Sequence, residues 1–535
     1  MNRFIPMLAR TFLGRLALGW LLAVCLLPAA ALADDFAERV AALNAGSFAE
    51  KQAAADAVAA SGHPRAVAVL KALLDGKLHA APDGRVLIVG ADGAVDAASG
   101  EPVDAVAGSS RIVINNRMRA GLRGLIAQLS LGHPDAEVRL QAVRDMLPAM
   151  DAAAAAQFRE ALATERDDTV RDLLESGLAL VDLDADDPAV RLAAVQRLDG
   201  RLNPTVRARL QAVADSDADP QVKAAAAAAL KRIEGKLQRY RFVETLFFGL
   251  SLGSVLVLAA IGLAITFGVM GVINMAHGEL IMLGAYTTYV VQQLMPQHLG
   301  WSLAVAVPAA FLVSALVGIA IERGIIRFLY GRPLETLLAT FGVSLLLQQA
   351  VRSIFSPLNR TVATPEWMAG SLAINPALSI TYNRLYILIF SLLVFAALLV
   401  VLKRTSLGLK VRAVAQNRAM ARALGVRSAR VDALTFGLGS GIAGVAGVAL
   451  SQLTNVGPNL GQSYIVDSFM VVVFGGVGNL WGTLVAGLSL GVVNKFLEPY
   501  AGAVLAKILV LVFIILFIQK RPRGLFPQKG RAAEA

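Results

Sequence analysis

Cysteine is almost missing from this chain: Cys25 is the only one in 535 residues. A disulfide framework and a cluster of thiolate metal ligands are excluded by that count. Charge is also scarce, at 17% of residues, and its scarcity is uneven. Across 245–321 the one formally charged residue is Glu279; 433–466 carries none, and after Asp467 none follows until Lys495. A soluble core does not need such runs, whereas a bilayer-spanning helix needs about 20 mostly apolar residues. Mean hydropathy of +0.61, with 56% hydrophobic residues, points the same way.

Catalytic patterns are missing too. No H-E-x-x-H or Ser/His/Asp pattern accompanies Asp467 and Glu279, the acids deep in the apolar runs, so no catalytic residue, metal site or cofactor is expected. The phosphate-cradling pattern G-x-x-x-x-G-K-[ST] does not occur, so any ATP-driven work must be done by a partner. The formal net charge of +11 resembles a nucleic-acid signal at first sight. The basic residues, however, gather in short loops beside apolar runs, which is the positive-inside pattern of membrane proteins, and no nucleic-acid partner is expected.

What is present falls into three parts: a signal peptide over 1–33, an exported helical domain over 34–240 and a membrane domain over 241–535. Arg3, Arg10 and Arg15 precede an apolar run over 16–27, and Ala31-Leu32-Ala33 forms a small-x-small cleavage site; an uncleaved anchor is the alternative. In 34–240 a local pattern recurs. His133-Pro134-Asp135-Ala136-Glu137-Val138-Arg139, Asp168-Thr169-Val170-Arg171, Asp187-Pro188-Ala189-Val190-Arg191 and Asp219-Pro220-Gln221-Val222-Lys223 each open an apolar-periodic run. Asp caps a helix, Pro suits its first turn and Val begins the buried stripe. Val138 and Val170 stand 32 apart, as do Val190 and Val222, which suggests stacked helix pairs resembling HEAT-type repeats. Arg85-Val86-Leu87-Ile88-Val89 and Arg111-Ile112-Val113-Ile114 read as strands of a small β insertion. His63, His79 and His133 are scattered and read as surface or capping residues.

The fold class is therefore all-α: a polytopic membrane bundle of about eight or nine spans behind a HEAT-like domain. The spans are expected at 244–273, 278–296, 300–321, 334–355, 383–402, 432–454, 464–478, 481–497 and 501–519, with the two Gly-rich segments after Tyr464 open to being partly re-entrant. Three basic segments are expected on the cytoplasmic side: Arg323, Arg327 and Arg332; the stretch 403–430, with eight Lys/Arg and no acid; and the tail Lys520, Arg521, Arg523, Lys529 and Arg531. Lys231, Arg232, Lys236, Arg239 and Arg241 oppose that bias: either their helix shields its charge against the N-terminal domain, or the signal is uncleaved and the domain cytoplasmic, and export is favoured because translocated domains obey the bias weakly.

Three blocks then carry a resemblance. Gly271-Val272-Ile273-Asn274-Met275-Ala276-His277-Gly278-Glu279, Arg332-Pro333-Leu334 with Thr340-Phe341-Gly342-Val343-Ser344, and Leu407-Gly408-Leu409-Lys410-Val411-Arg412-Ala413-Val414-Ala415-Gln416-Asn417 occur in this order. They resemble the permeases of branched-chain amino acid-type ABC importers. The long N-terminal part, Asn115-Asn116-Arg117 and the ending Arg521-Pro522-Arg523-Gly524 are similar to the urea-type subgroup. What the resemblance implies is half of a translocation pathway in the inner membrane, with urea as solute and a branched-chain amino acid as the alternative. The implied partners are a second permease in a heterodimer, two cytoplasmic ATP-binding subunits, a periplasmic solute-binding protein and membrane lipid. It also makes 403–430 the ATPase-coupling segment, with Arg412, Ala413, Ala415, Asn417, Arg418, Arg422 and Gly425 as its residues. Val411, Val414, Ala415 and Leu424 would offer its apolar face, and Arg412, Arg418 and Arg422 would pair with ATPase acids.

Pathway candidates follow from intramembrane polarity. Asn274, His277 and Glu279 fall between the first two spans, expected near the cytoplasmic face, where a hydrogen-bond network or gate is favoured over direct solute contact. Gln348, Gln349, Gln452, Thr454 and Asn455 offer amides and hydroxyls suited to a neutral hydrogen-bonding solute.

Overall fold

The computed structural model describes residues 35–90, 93–103 and 108–526. The expected signal peptide, Cys25 and the tail residues Lys529 and Arg531 lie outside them. The chain forms two compact units that meet between Lys236 and Leu237.

After helical residues 35–41, the first unit continues with α1 (Phe48–Ala60) and α2 (Ala66–Leu74). Ser47 and Glu50 close a reciprocal capping box at the start of α1. An antiparallel sheet follows, β1 (Leu78–Ala80), β2 (Val86–Gly90), β3 (Gly93–Asp96), β4 (Pro102–Val103) and β5 (Ser110–Arg111), in the order β4-β3-β2-β1-β5. It contains the first of the two strands expected from sequence, while of the second, expected over 111–114, only Arg111 is in a strand. Leu78, Val86, Ile112 and Met118 join Val69 and Leu73 in one buried cluster, which fixes the sheet to the helices beside it.

After α3 (Asn116–Ser130) come α4 (Ala136–Met146), α5 (Ala152–Thr164), α6 (Asp168–Asp182), α7 (Pro188–Leu198) and α8 (Pro204–Ser216). Asp135, Asp187 and Asp219 cap helices through backbone N–H groups two or three residues on, as does Asp167 rather than Asp168. Each cap is worth about 1 kcal/mol. Two half-buried ion pairs repeat across the unit. Arg139 binds Glu165 and also the carbonyls of His133 and Pro134; Arg191 binds Asp217 and the carbonyls of Ala185 and Asp186. Both pairs reach across 26 residues. Positions 139 and 191, like 165 and 217, differ by 52. The repeating unit is thus a triplet of helices, not the pair that the 32-residue spacing suggests; the spacing alternates between 32 and 20 because the longer step passes over an intervening helix, α5 or α8, and the shorter runs from α6 to the next helix, α7. The Arg139 guanidinium holds the Glu165 carboxyl down at about 2. Arg232 pairs with Asp199, and Lys236 donates to the Gly200 carbonyl, so part of the basic run before the membrane domain is spent within this unit.

The second unit opens within α9 (Pro220–Met270), a helix of 51 residues. It continues with α10 (His277–Leu294), α11 (Leu299–Gly324), α12 (Pro333–Phe355), a hairpin β6 (Ser371–Asn375) and β7 (Leu378–Thr381), then α13 (Tyr382–Arg404), α14 (Ser406–Gln416), α15 (Arg418–Ala423), α16 (Ser428–Ser451), α17 (Leu460–Gly475) and α18 (Leu480–Lys520). Among the described residues six helices are long and apolar enough to cross a membrane, against the nine segments expected. α10, α17 and the merging of two segments in α18 make up the difference, and the last two have physical causes. α17, with 16 residues, spans about 24 Å and is short of a ~30 Å hydrocarbon layer. α18 merges two expected segments, and it is bent. Straight, its 41 residues would hold its ends about 60 Å apart, yet its N-cap Asn479 donates to the carbonyl of Phe526 at 3.2 Å. The reversal is at Gly502, whose φ of 77° and ψ of 162° lie outside the helical region and suit a residue without Cβ. Residues 480–501 and 503–520 are therefore two limbs of a hairpin.

The basic segments share one end of this bundle. The Arg418 guanidinium lies 4.7 Å from the Tyr330 ring centroid, which joins 403–430 to the loop after α11. Lys403 and Arg412 line the same crevice as Gly268 and Asn479, and Asn479 in turn holds the tail at Phe526. Leu237, about 47 Å back along α9 from Gly268, enters at the opposite end.

Candidate functional site

The chain stops being helical at Met270 and resumes at His277. Asn274 organises the gap by accepting from the Ala276 N–H at 3.0 Å, and Thr340 Oγ1 on α12 accepts from the Met275 N–H at 3.1 Å. His277 then donates from Nε2 to the Ala259 carbonyl at 2.8 Å, because a carbonyl only accepts. Ala259 lies about 16 Å before the end of α9, so residues 271–276 double back along the helix they left. α10 starts inside the bundle.

Glu279 stands in the first turn of α10 and is 1% exposed. Its Oε1 accepts from Ser344 Oγ at 3.0 Å and from Gln348 Nε2 at 2.7 Å. Ser344 and Gln348 are one turn apart on one face of the 23-residue α12, with Ser344 at its middle. Among the described residues Glu279 Oε2, Asn274 Nδ2 and His277 Nδ1 have no hydrogen-bond partner. Asn274, His277 and Glu279 thus form a cluster half-way along the bundle, not at the cytoplasmic face expected from the sequence. The segment reads as a simple junction until the return from Met270 to Ala259 is seen.

A second interruption faces the first. α16 ends at Ser451 and α17 begins at Leu460. The helix starts cross at Gly278 and Gly461, where a Cβ on either would strike the carbonyl of the other. Two helix N-termini therefore meet at mid-depth, beside irregular backbone tolerated in a membrane only where protein or a cavity surrounds it. Gln452 is buried and donates to Ser451 Oγ at 3.3 Å, and its Oε1 has no partner among the described residues. Asn455 is exposed, next to Val456, which exchanges backbone hydrogen bonds with Arg360. Of the six pathway candidates, hydrogen bonds join Glu279 and Gln348 directly; Gln452 and Asn455 stand on the other interrupted segment.

At the basic end, Asn417 caps α15 by accepting from the Met420 N–H at 2.9 Å. Arg418 reaches both oxygens of Asp432, which is 1% exposed, while Arg422 donates to Ser428 Oγ and Arg412 to the Leu402 carbonyl. Arg418 is thus ion-paired inside the chain, which corrects the expectation that it is free to pair with an ATPase acid, whereas Arg412 and Arg422 are exposed and meet only neutral groups. Val411, Val414 and Ala421 are packed with Val431 in a buried cluster, so the expected apolar face turns inward. Leu424, at 78% exposure, and Met420 point outward instead. Ala413 is exposed, Ala415 lines the crevice beside Arg412, and Gly425 ends the segment with a φ of 83°. Burial pushes the Tyr330 hydroxyl above its usual range, and it donates to Glu322 at 3.2 Å.

The family described as "Branched-chain amino acid transport system / permease component" matches residues 245–518, more than half the chain. The chain belongs to that family. This permease is 32% identical to the high-affinity branched-chain amino acid transport system permease protein LivH of Escherichia coli over 295 residues, which are 53% of this chain and 95% of that one. It is also 32% identical to BraD of Pseudomonas aeruginosa, over 54% of this chain and 96% of that one. A more distant match, 25% identical over 285 residues, is the ribose import permease protein RbsC of Escherichia coli, 84% of which is covered. No solved structure matches. The permease is an integral membrane transport subunit and not an enzyme, and permeases of this kind work with ATPase and binding-protein partners.

Sequence reasoning missed Asp432, Tyr330 and Glu322 as a buried polar group beneath the permease's basic segment. Asp432 carried a signal: it is the first acid after 403–430 and opens an uncharged apolar run.

Proposed function

We propose that this permease forms half of the pathway of an ABC importer for a small polar solute, with 403–430 as the segment through which ATPase subunits act. The observation that carries the reading is the pair of interrupted helices crossing at Gly278 and Gly461, half-way between a basic end and the end where Leu237 enters. Coupling at the basic end is supported by α14 and α15, which anchor inward through Val411 and Arg418 and present Leu424 and Met420 outward. The partners would be a second permease, two ATP-binding subunits and a solute-binding protein. With the basic end cytoplasmic, Leu237 enters from the outer side, which supports export of the HEAT-like domain over 34–240 behind a signal over 1–33.

For the solute, a branched-chain amino acid is the better-supported reading, because LivH and BraD carry that solute in their names. Urea is the second reading. It is favoured by the amides and hydroxyls of Gln348, Gln452 and Ser344, which suit a neutral solute needing no counter-ion. Uptake of labelled leucine and labelled urea, in cells with and without this chain, tests both. Loss of leucine uptake alone is expected; loss of urea uptake with leucine untouched reverses the assignment, and no change in either sinks both.

A further inference from the structure

A crevice of about 500 Å³ opens at the basic end of the membrane unit. Its walls come from the last turns of α9 and α13, the first turn of α18 and the outer surface of α14. The lining is layered. Ile265, Leu399 and Leu402 belong to the apolar parts of helices, whereas Lys403 closes the last turn of α13 and Arg412 stands on α14. Arg412 donates to the Leu402 carbonyl, which holds its guanidinium across the end of α13. Among the described residues neither Lys403 nor Arg412 meets a carboxylate. Trp481, 52% exposed, packs edge-on against Phe395 at 5.3 Å between centroids and stands at the rim, where indoles mark a membrane–water boundary.

We propose that this crevice holds an anionic phospholipid, its phosphate between Lys403 and Arg412 and an acyl chain along Ile265, Leu399 and Leu402. Two cations with no carboxylate partner among the described residues, beside an apolar slot between helices, match a negative headgroup on a hydrocarbon tail. A free phosphate would leave the apolar walls uncovered. A zwitterionic lipid would bring an ammonium toward two like charges. The inference rests on the reading that this end faces the cytoplasmic leaflet.

The test is native mass spectrometry of the assembled transporter, purified in mild detergent from membranes containing phosphatidylglycerol and phosphatidylethanolamine. Wild type is expected to retain phosphatidylglycerol preferentially. Lys403→Gln with Arg412→Gln is expected to lower that retention by about fivefold or more. Val269→Trp, which fills the apolar part and keeps both cations, is expected to lower it as well, while Lys520→Gln on the tail leaves it unchanged. Co-purification of the ATPase subunits reports assembly for each variant. Unchanged retention in the first two variants, equal retention of phosphatidylethanolamine, or displacement by millimolar inorganic phosphate overturns the proposal. The uptake assay reads the functional assignment separately, so failure of one is distinguishable from failure of the other.

Discussion

Arg418 sets two guanidinium nitrogens against the two carboxylate oxygens of Asp432, each at 2.8 Å. The pair ties α15 to the base of α16, the helix whose far end leads into the second interruption. Arg418→Ala leaves a buried carboxylate without its cation, and a loss of about 3–5 kcal/mol is expected. Thermal unfolding of the purified permease checks this. Arg418→Ala with Asp432→Ala should be less destabilised than Arg418→Ala alone, because no unpaired charge is left behind.

Glu279→Gln is expected to keep the permease near wild-type abundance. Its amide oxygen still accepts from Ser344 and Gln348, and its amide nitrogen falls where Oε2 has no partner. Glu279→Ala removes the shared acceptor and strands two buried donors, at about 1–3 kcal/mol each. Membrane abundance and uptake measured together separate the variants: a Gln variant as poorly accumulated as the Ala variant contradicts the hydrogen-bond role.

At Gly278 and Gly461 the obstruction is backbone, which cannot rotate away. Gly278→Val or Gly461→Val should therefore destabilise the membrane unit by several kcal/mol, at or above the ~1–3 kcal/mol usual for overpacking. Gly235→Ala, a helical glycine with nothing within 4 Å of its added Cβ, is the control. It should be neutral or stabilising by up to about 1 kcal/mol. Detergent melting curves of the three variants read the contrast.

The Arg139–Glu165 pair predicts an acid-sensitive N-terminal unit. The folded Glu165 carboxyl titrates at about 2 against an ordinary 4.5, so its contribution is complete above pH 4.5 and is lost as pH falls toward 2. The expected contribution at neutral pH is about 3 kcal/mol, from 1.36 kcal/mol per pKa unit. Hydrogen exchange across 136–182 in the full chain should accelerate between pH 4.5 and 2. In Glu165→Gln the protection should already be reduced at pH 7 and change less with acid.

Much of this protein was legible before any coordinate. The charge-free runs required membrane helices, because a charge in hydrocarbon is costly and a helix satisfies its own backbone. The Asp-Pro and Asp-x-Val starts located helix N-termini to within a residue, because capping is a local interaction between a side chain and backbone two or three positions on. Even the convergence of the basic segments was implied, since the charge bias acts on each loop by itself.

What composition could not reveal is where chains reverse and which polar groups meet. Gly502 is one glycine among 47, and only the return of Phe526 to Asn479 shows that it folds a helix back. Glu279 and Gln348 are 69 residues apart, and Arg418 reads as free until Asp432, 14 residues on, is found beneath it. Local sequence fixes helix starts, burial and charge bias because those depend on neighbours a few residues away. Depth in the membrane, the crossing of two interrupted helices and the partner of each buried charge depend on packing between distant segments, and tertiary structure alone decided them.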